Sequence, residues 1–213
     1  MATLEDVKIQ LLEEFVARRG IGWSVHGATF KSPSAIENAD RMVIQGATIC
    51  GQSWVLLAVL DGGFRVIVSA IASQNLIKLV GHSGPVTANY VSQRLPKYLR
   101  DGLRRTIEGQ LKGAVEYSDF VENAGVISKM VQTEFQNLDK HIYLAVKRLL
   151  DNLHSELTEQ QALRLIGTHE EIIERASQAT SIALALINVD QHLMWTAGLG
   201  TSTVGEWKAL HFQ

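Results

Sequence analysis

One cysteine, Cys50, is present in 213 residues. It excludes an internal disulfide and any zinc site built on several thiolates. Set in Ala47-Thr48-Ile49-Cys50, it reads as a partly buried, inert thiol. An excess of positive charge is also missing. Twenty basic residues face 22 acidic ones, a net charge of −2, which gives no electrostatic case for binding nucleic acid or an acidic membrane surface. Long apolar runs are absent too. The nearest approach, residues 66–80, is broken by Gln74, Asn75 and Lys78 and falls short of a membrane span. The first residues are acidic and carry no signal-peptide core. Neither a repeat nor a low-complexity tract is found. These absences point to an intracellular, reducing setting, cytoplasmic or nuclear.

What is present is enough apolar residue, 46% of the chain, to bury the core of a single domain spanning residues 1–213. The stretch that organises the rest is residues 55–62, an apolar run that ends in Asp61 and Gly62. With residues 53–60 apolar on both faces, this is a central strand, and Asp61 falls at its end, where a rigid scaffold can hold a carboxylate for a metal. An ordinary Asp-Gly-Gly turn is the competing reading. Ahead of it, Glu37 and Asp40 stand just before a second strand-like run, Met42-Val43-Ile44-Gln45, and residues 46–51 read as a turn.

Around these strands, Leu4, Val7, Leu11, Leu12, Phe15 and Val16 recur at helical spacing. They predict a helix over residues 4–19 capped by Gly20, followed by an extended segment to Phe30. Residues 63–81 hold no period for long. From Pro85 the pattern clears into an amphipathic helix through Val86, Tyr90, Val91, Leu95 and Leu99, with Pro96 expected to kink or restart it. Residues 108–124 read as a loop and 126–153 as a long helix. Thr158-Glu159-Gln160-Gln161 reads as a capping box opening another helix to about Gln178, weakened by Gly167. A strand over 180–189, a turn at Asp190-Gln191 and a returning strand over 192–199 close the series, and residues 201–207 could add one more. Strands, then helices, then strands make the chain α+β rather than a βαβ repeat.

With residues 63–81 removed, Asp61-Gly62 runs directly into His82-Ser83-Gly84-Pro85. That text resembles the Asp-Gly-His-Gly/Ser-Gly signature of the metal-dependent protein serine/threonine phosphatases, the PPM or type 2C family. Two more stretches agree with it. Asn38-Ala39-Asp40-Arg41 looks like the family's first acidic motif. Residues 177–187 and 193–202 look like its paired strands ending in Gly-Asp-Ser. Residues 63–81 then read as an insertion splitting the motif, of the kind an unspliced intron would leave.

The resemblance covers roughly residues 20–207. It implies a central antiparallel β-sandwich flanked by helices on both faces, incomplete at the C-terminus. It implies hydrolysis of phosphoserine and phosphothreonine in a phosphoprotein by a water activated between two divalent cations, Mg²⁺ or Mn²⁺, which prefer oxygen ligands. By resemblance Asp61 is the bridging ligand, the Gly62 carbonyl a second ligand, and Asp40 the holder of a metal-bound water. Glu37 and His82 would stand just behind these ligands.

Departures from the family pattern set the expected activity. The insertion removes the constraint that fixes the helix start beside Asp61. Thr201 stands where the family has Asp, no phosphate-binding Arg precedes Asn38, and the later motifs that supply metal-binding aspartates do not follow. A weakly active or inactive phosphatase is expected. The alternative is a non-catalytic pseudophosphatase that binds a protein partner, with no role for nucleic acid or membrane. The remaining constellations are weak: His169-Glu170-Glu171 lacks the second histidine of a zincin, and Gly198, Gly200 and Gly205 have no helix to follow them.

Overall fold

The computed structural model describes residues 12–20, 23–30, 38–65, 85–113, 116–151 and 158–200. It is a mixed chain of helices and antiparallel sheets, the α+β class. Strand β1 (Leu12–Gly20) pairs antiparallel with β2 (Trp23–Phe30). A four-stranded sheet follows, ordered β3 (Arg41–Ile49), β4 (Gln52–Arg65), β5 (Gln178–Asn188) and β6 (Leu193–Leu199), every neighbour antiparallel. Between β4 and β5 lie α1 (Val86–Arg105), α2 (Tyr117–Glu122), α3 (Ala124–Asp151), α4 (Glu159–Thr168) and α5 (Glu170–Ser177). Among the described residues no helix is long and apolar enough to cross a membrane.

Alternation along the strands sorts the sheet into two faces. Trp54, Leu56, Ala58 and Leu60 of β4 and Ile182, Leu184 and Leu186 of β5 are buried on one face, in one cluster with Leu95, Leu99 and Leu103 of α1 and Ile127 and Val131 of α3. The i, i+4 spacing of Val91, Leu95, Leu99 and Leu103 gives α1 the single apolar stripe that this face needs. The opposite face is more open. Val55 is buried there, but Val59 on the same strand is 48% exposed and Met194 on β6 is 46% exposed.

Several expectations need correction. Residues 12–20 are strand, not helix, and Gly20 is no helix cap. It pairs with Trp23, whose indole lies where a Cβ would sit, 2.4 Å from that position at Nε1. Pairing with β2, which only two residues separate from β1, outweighs a local helical spacing that strand residues meet by coincidence. The rest of the predicted helix, residues 4–11, lies outside the described residues, as do residues 201–207. The turn expected over 46–51 shrinks to Cys50-Gly51, both at positive φ (50° and 79°), as a two-residue hairpin between twisted strands requires. Helix α1 passes through Pro96 without restarting. It then widens into a π turn over Thr106–Gln110.

The loop expected over 108–124 contains α2, anchored by the fully buried Phe120 against Trp54 and Trp195. One aromatic in a polar segment leaves no periodic signal. The capping box at Thr158 is formed, its Oγ1 accepting from Gln161 N at 3.3 Å, and the helix breaks at His169, two residues past Gly167.

Candidate metal centre

Asp61 does not end its strand. β4 continues to Arg65, and an irregularity between Asp61 and Phe64 shifts the register against β5. A bulge carrying Gly62 and Gly63 re-aims the chain there without terminating the ladder. The first residues of the predicted insertion are therefore strand, while the rest of it, with His82, lies outside the described residues.

The register places the motif stretches in one row. Arg41 pairs with Leu60, Leu60 with Ile182, and Ile182 with Leu199. One step further along are Asp40 just before β3, Asp61 and its partner Ser181 on β4 and β5, and Gly200 after β6. By strand alternation these positions share the face opposite the helices. Gly200 has φ of 77°, and a Cβ built on it would come 2.8 Å from the Ser181 Cβ, so two features leave room there for glycine alone.

The first turn of α1 lies beside Gly62. A Cβ on Gly62 would lie 2.7 Å from the Ala39 carbonyl oxygen and 3.1 Å from Ala88 Cβ in the first turn of α1. Arg41 donates from Nε to Asn89 Oδ1 on that turn, and from Nη1 to the carbonyls of Asn38 (2.7 Å) and Asp40 (2.6 Å). The expectation that the helix start at His82 is no longer fixed beside Asp61 falls outside the described residues; from Val86 onward, close packing at Gly62 and the Arg41–Asn89 bond hold α1 to this end of the sheet. A loop can lengthen at small entropic cost while its ends stay fixed.

Electrostatics tie the two carboxylates to each other. Burial raises the Asp40 pKa, the charge on Asp61 raises it further, and Arg41 partly opposes both. Asn38 shapes the approach, its Oδ1 accepting from Asp40 N at 3.0 Å and its Nδ2 donating to Thr29 Oγ1 at 2.8 Å. The Asp61 carbonyl accepts from Thr180 Oγ1 at 2.9 Å, which spends that oxygen on the neighbouring strand.

Two carboxylates and the Gly62 carbonyl are hard oxygen donors of the right kind for Mg²⁺ or Mn²⁺. Among the described residues no group of three or more His, Cys, Asp or Glu residues is positioned to hold a metal, so the donors for a two-cation centre are not assembled there. Glu37 lies outside the described residues, as do Thr201 and Ser202. Cys50 is far along the sheet from this row; burial and Glu108 push its thiol pKa up, in keeping with an unreactive role.

Sequence reading missed Arg41, Asn89 and Arg175. Arg41 was seen only as a neighbour of Asp40, and nothing local indicates that it reaches a helix 48 residues away. No protein-family model, no curated protein and no solved structure matches this chain.

Proposed function

We infer that this chain is a homologue of the metal-dependent protein serine/threonine phosphatases whose metal centre is reduced to the Asp40–Asp61 pair. The observation that carries the reading is the meeting of Asp40, Asp61, Gly62 and the first turn of α1 at one end of one sheet, despite nineteen intervening residues at 63–81. The finer fold reading, a β-sandwich flanked by helices on both faces, belongs to the same proposal. Asp40 and Asp61 hold a single Mg²⁺ or Mn²⁺, with the Gly62 carbonyl as a further donor. When bound, such a cation supplies Lewis-acid polarisation of a phosphoryl oxygen and activation of water. The chain's own residues supply positioning. Arg41 braces the backbone at Asn38 and Asp40, and Thr180 fixes the carbonyl of Asp61.

With two carboxylates in place of a fuller set, turnover of a phosphoprotein is weak or absent. Mn²⁺-dependent release of phosphate from a phosphothreonine peptide, compared with Asp61→Ala, tests the enzymatic part. Activity that needs no metal, or that survives the substitution, overturns it. The second reading, a non-catalytic pseudophosphatase that binds a protein partner, is favoured by the shortage of carboxylates among the described residues. A thermal shift with Mn²⁺ that Asp61→Ala removes, with no phosphate released, selects this reading.

A further inference from the structure

On the other face of the sheet, α1, α3, α5 and the start of β5 enclose a cavity of about 420 Å³. Its walls are largely apolar, with Val91, Phe135, Ile142 and Leu199 among them, and two charged residues line it, Arg175 of α5 and Asp139 of α3. Arg175 is 9% exposed, and its Nε, shielded from water, has no hydrogen-bond partner. Its backbone is fixed, the carbonyl accepting from the buried Thr87 Oγ1 at 2.8 Å. The guanidinium lies 4.0 Å over the Tyr90 ring, with the Arg94 guanidinium 4.5 Å from the same ring.

The carboxylate that approaches Arg175 among the described residues is Glu171, 4.0 Å away on an 81% exposed side chain. That is too long for a hydrogen bond and too wet to neutralise a buried charge. A buried guanidinium without an anion is costly, and cation–π contact recovers only part of the cost. Charges of both signs border the cavity, Asp139 on α3 and Arg175 on α5. Burial and then Arg94, Arg175 and Arg148 lower the pKa of His141, whose Nδ1 is 2.9 Å from the Tyr98 hydroxyl.

We propose that this cavity binds a small organic carboxylate with an apolar body, its carboxylate paired to the Arg175 guanidinium and its body against the α1 and α3 side chains. The guanidinium fork suits a bidentate carboxylate, and the volume falls within the range of small-molecule sites. The proposal is independent of the carboxylate pair at Asp40 and Asp61.

Phenylacetate is the probe, titrated into the full chain by calorimetry and by ¹H–¹⁵N spectra of the arginine Nε–H groups. Saturable binding is expected, shifting one Nε–H signal that Arg175→Gln or Arg175→Lys removes. Phenylacetamide and inorganic phosphate should each bind at least about tenfold more weakly, since one lacks the charge and the other the apolar body. Ala176→Leu, which fills the cavity and keeps the arginine, should weaken phenylacetate by a similar factor. If the Arg175 variants do not fold, the amide comparison and Ala176→Leu decide. Absence of phenylacetate binding, equal binding of phenylacetamide, phosphate binding as tight as phenylacetate, or undiminished binding by folded Ala176→Leu each overturns the proposal.

Discussion

At the turn end of the four-stranded sheet, Asn188 is fully buried and hydrogen-bonded on both sides of its amide. Its Nδ2 donates to Gln52 Oε1 at 2.7 Å and its Oδ1 accepts from Gln191 N at 3.1 Å. The Asp190 carboxylate accepts from Ser53 N at 2.7 Å, and Trp54, Trp195 and Phe120 pack alongside. At the opposite end, burial and then the charge on Asp61 make Asp40 harder to ionise, with Arg41 partly opposing both. One end is held by hydrogen bonds and aromatic packing, whereas the other sets a half-buried carboxylate within reach of a second one. A sheet whose every need is stability has no reason to place like charges side by side. In the proposed function, the Asp40–Asp61 end is the one that takes a cation.

The largest expected effect is at the turn end. Phe120→Ala removes the buried anchor of α2 and should cost about 3–5 kcal/mol in urea unfolding. A loss below about 1 kcal/mol would mean that α2 is peripheral. Asn188→Ala removes the buried bonds to Gln52 Oε1 and Gln191 N and should cost about 1–3 kcal/mol in the same measurement.

At the charged end, Gly62→Ala drives a methyl into the Ala39 carbonyl and Ala88. It should cost about 1–3 kcal/mol and abolish any thermal shift produced by Mn²⁺. Retention of that shift would separate the glycine from the metal proposal.

The smallest effect carries an opposite sign. Because the folded-state pKa of Asp40 is raised, the folded chain holds that proton more tightly than the unfolded chain does. Its stabilising share is present at acid pH and is lost as pH rises through the raised value. Asp40→Asn should therefore raise Tm slightly at pH 7, by about 1–2 °C, and the gain should vanish on acidification below the ordinary aspartate range. Saturating Mn²⁺ should reverse the order, stabilising the native chain and not the variant. A Tm lowered at pH 7 by Asp40→Asn would show that the two ends do not differ as described.

Much of the sheet was legible because strands buried on at least one face write their pattern locally. The apolar run through 53–60 falls inside β4, which continues to Arg65, and the strand over 180–189, its turn at Asp190-Gln191 and the return to Leu199 match β5 and β6 closely. The Thr158 cap was legible because its donor and acceptors lie within three residues. β1 was not, since its strand state depends on pairing with β2 and on Trp23 covering Gly20, which a single-segment period cannot report. α2 was not either, because one phenylalanine holds it in place.

For the candidate centre, sequence supplied the residues Asp40, Asp61 and Gly62 and the kind of donor they offer. It did not show that the α1 turn would remain against Gly62 across the insertion, that Asp40 and Asp61 would share one face, or that Arg175 would be buried without an anion. Residue chemistry and short-range spacing are written in the chain itself, so the class of fold and the candidate ligands could be read from it. Which distant groups meet, and which charges are left uncompensated, depends on strand register and helix packing between positions tens of residues apart, and only the tertiary structure decided those.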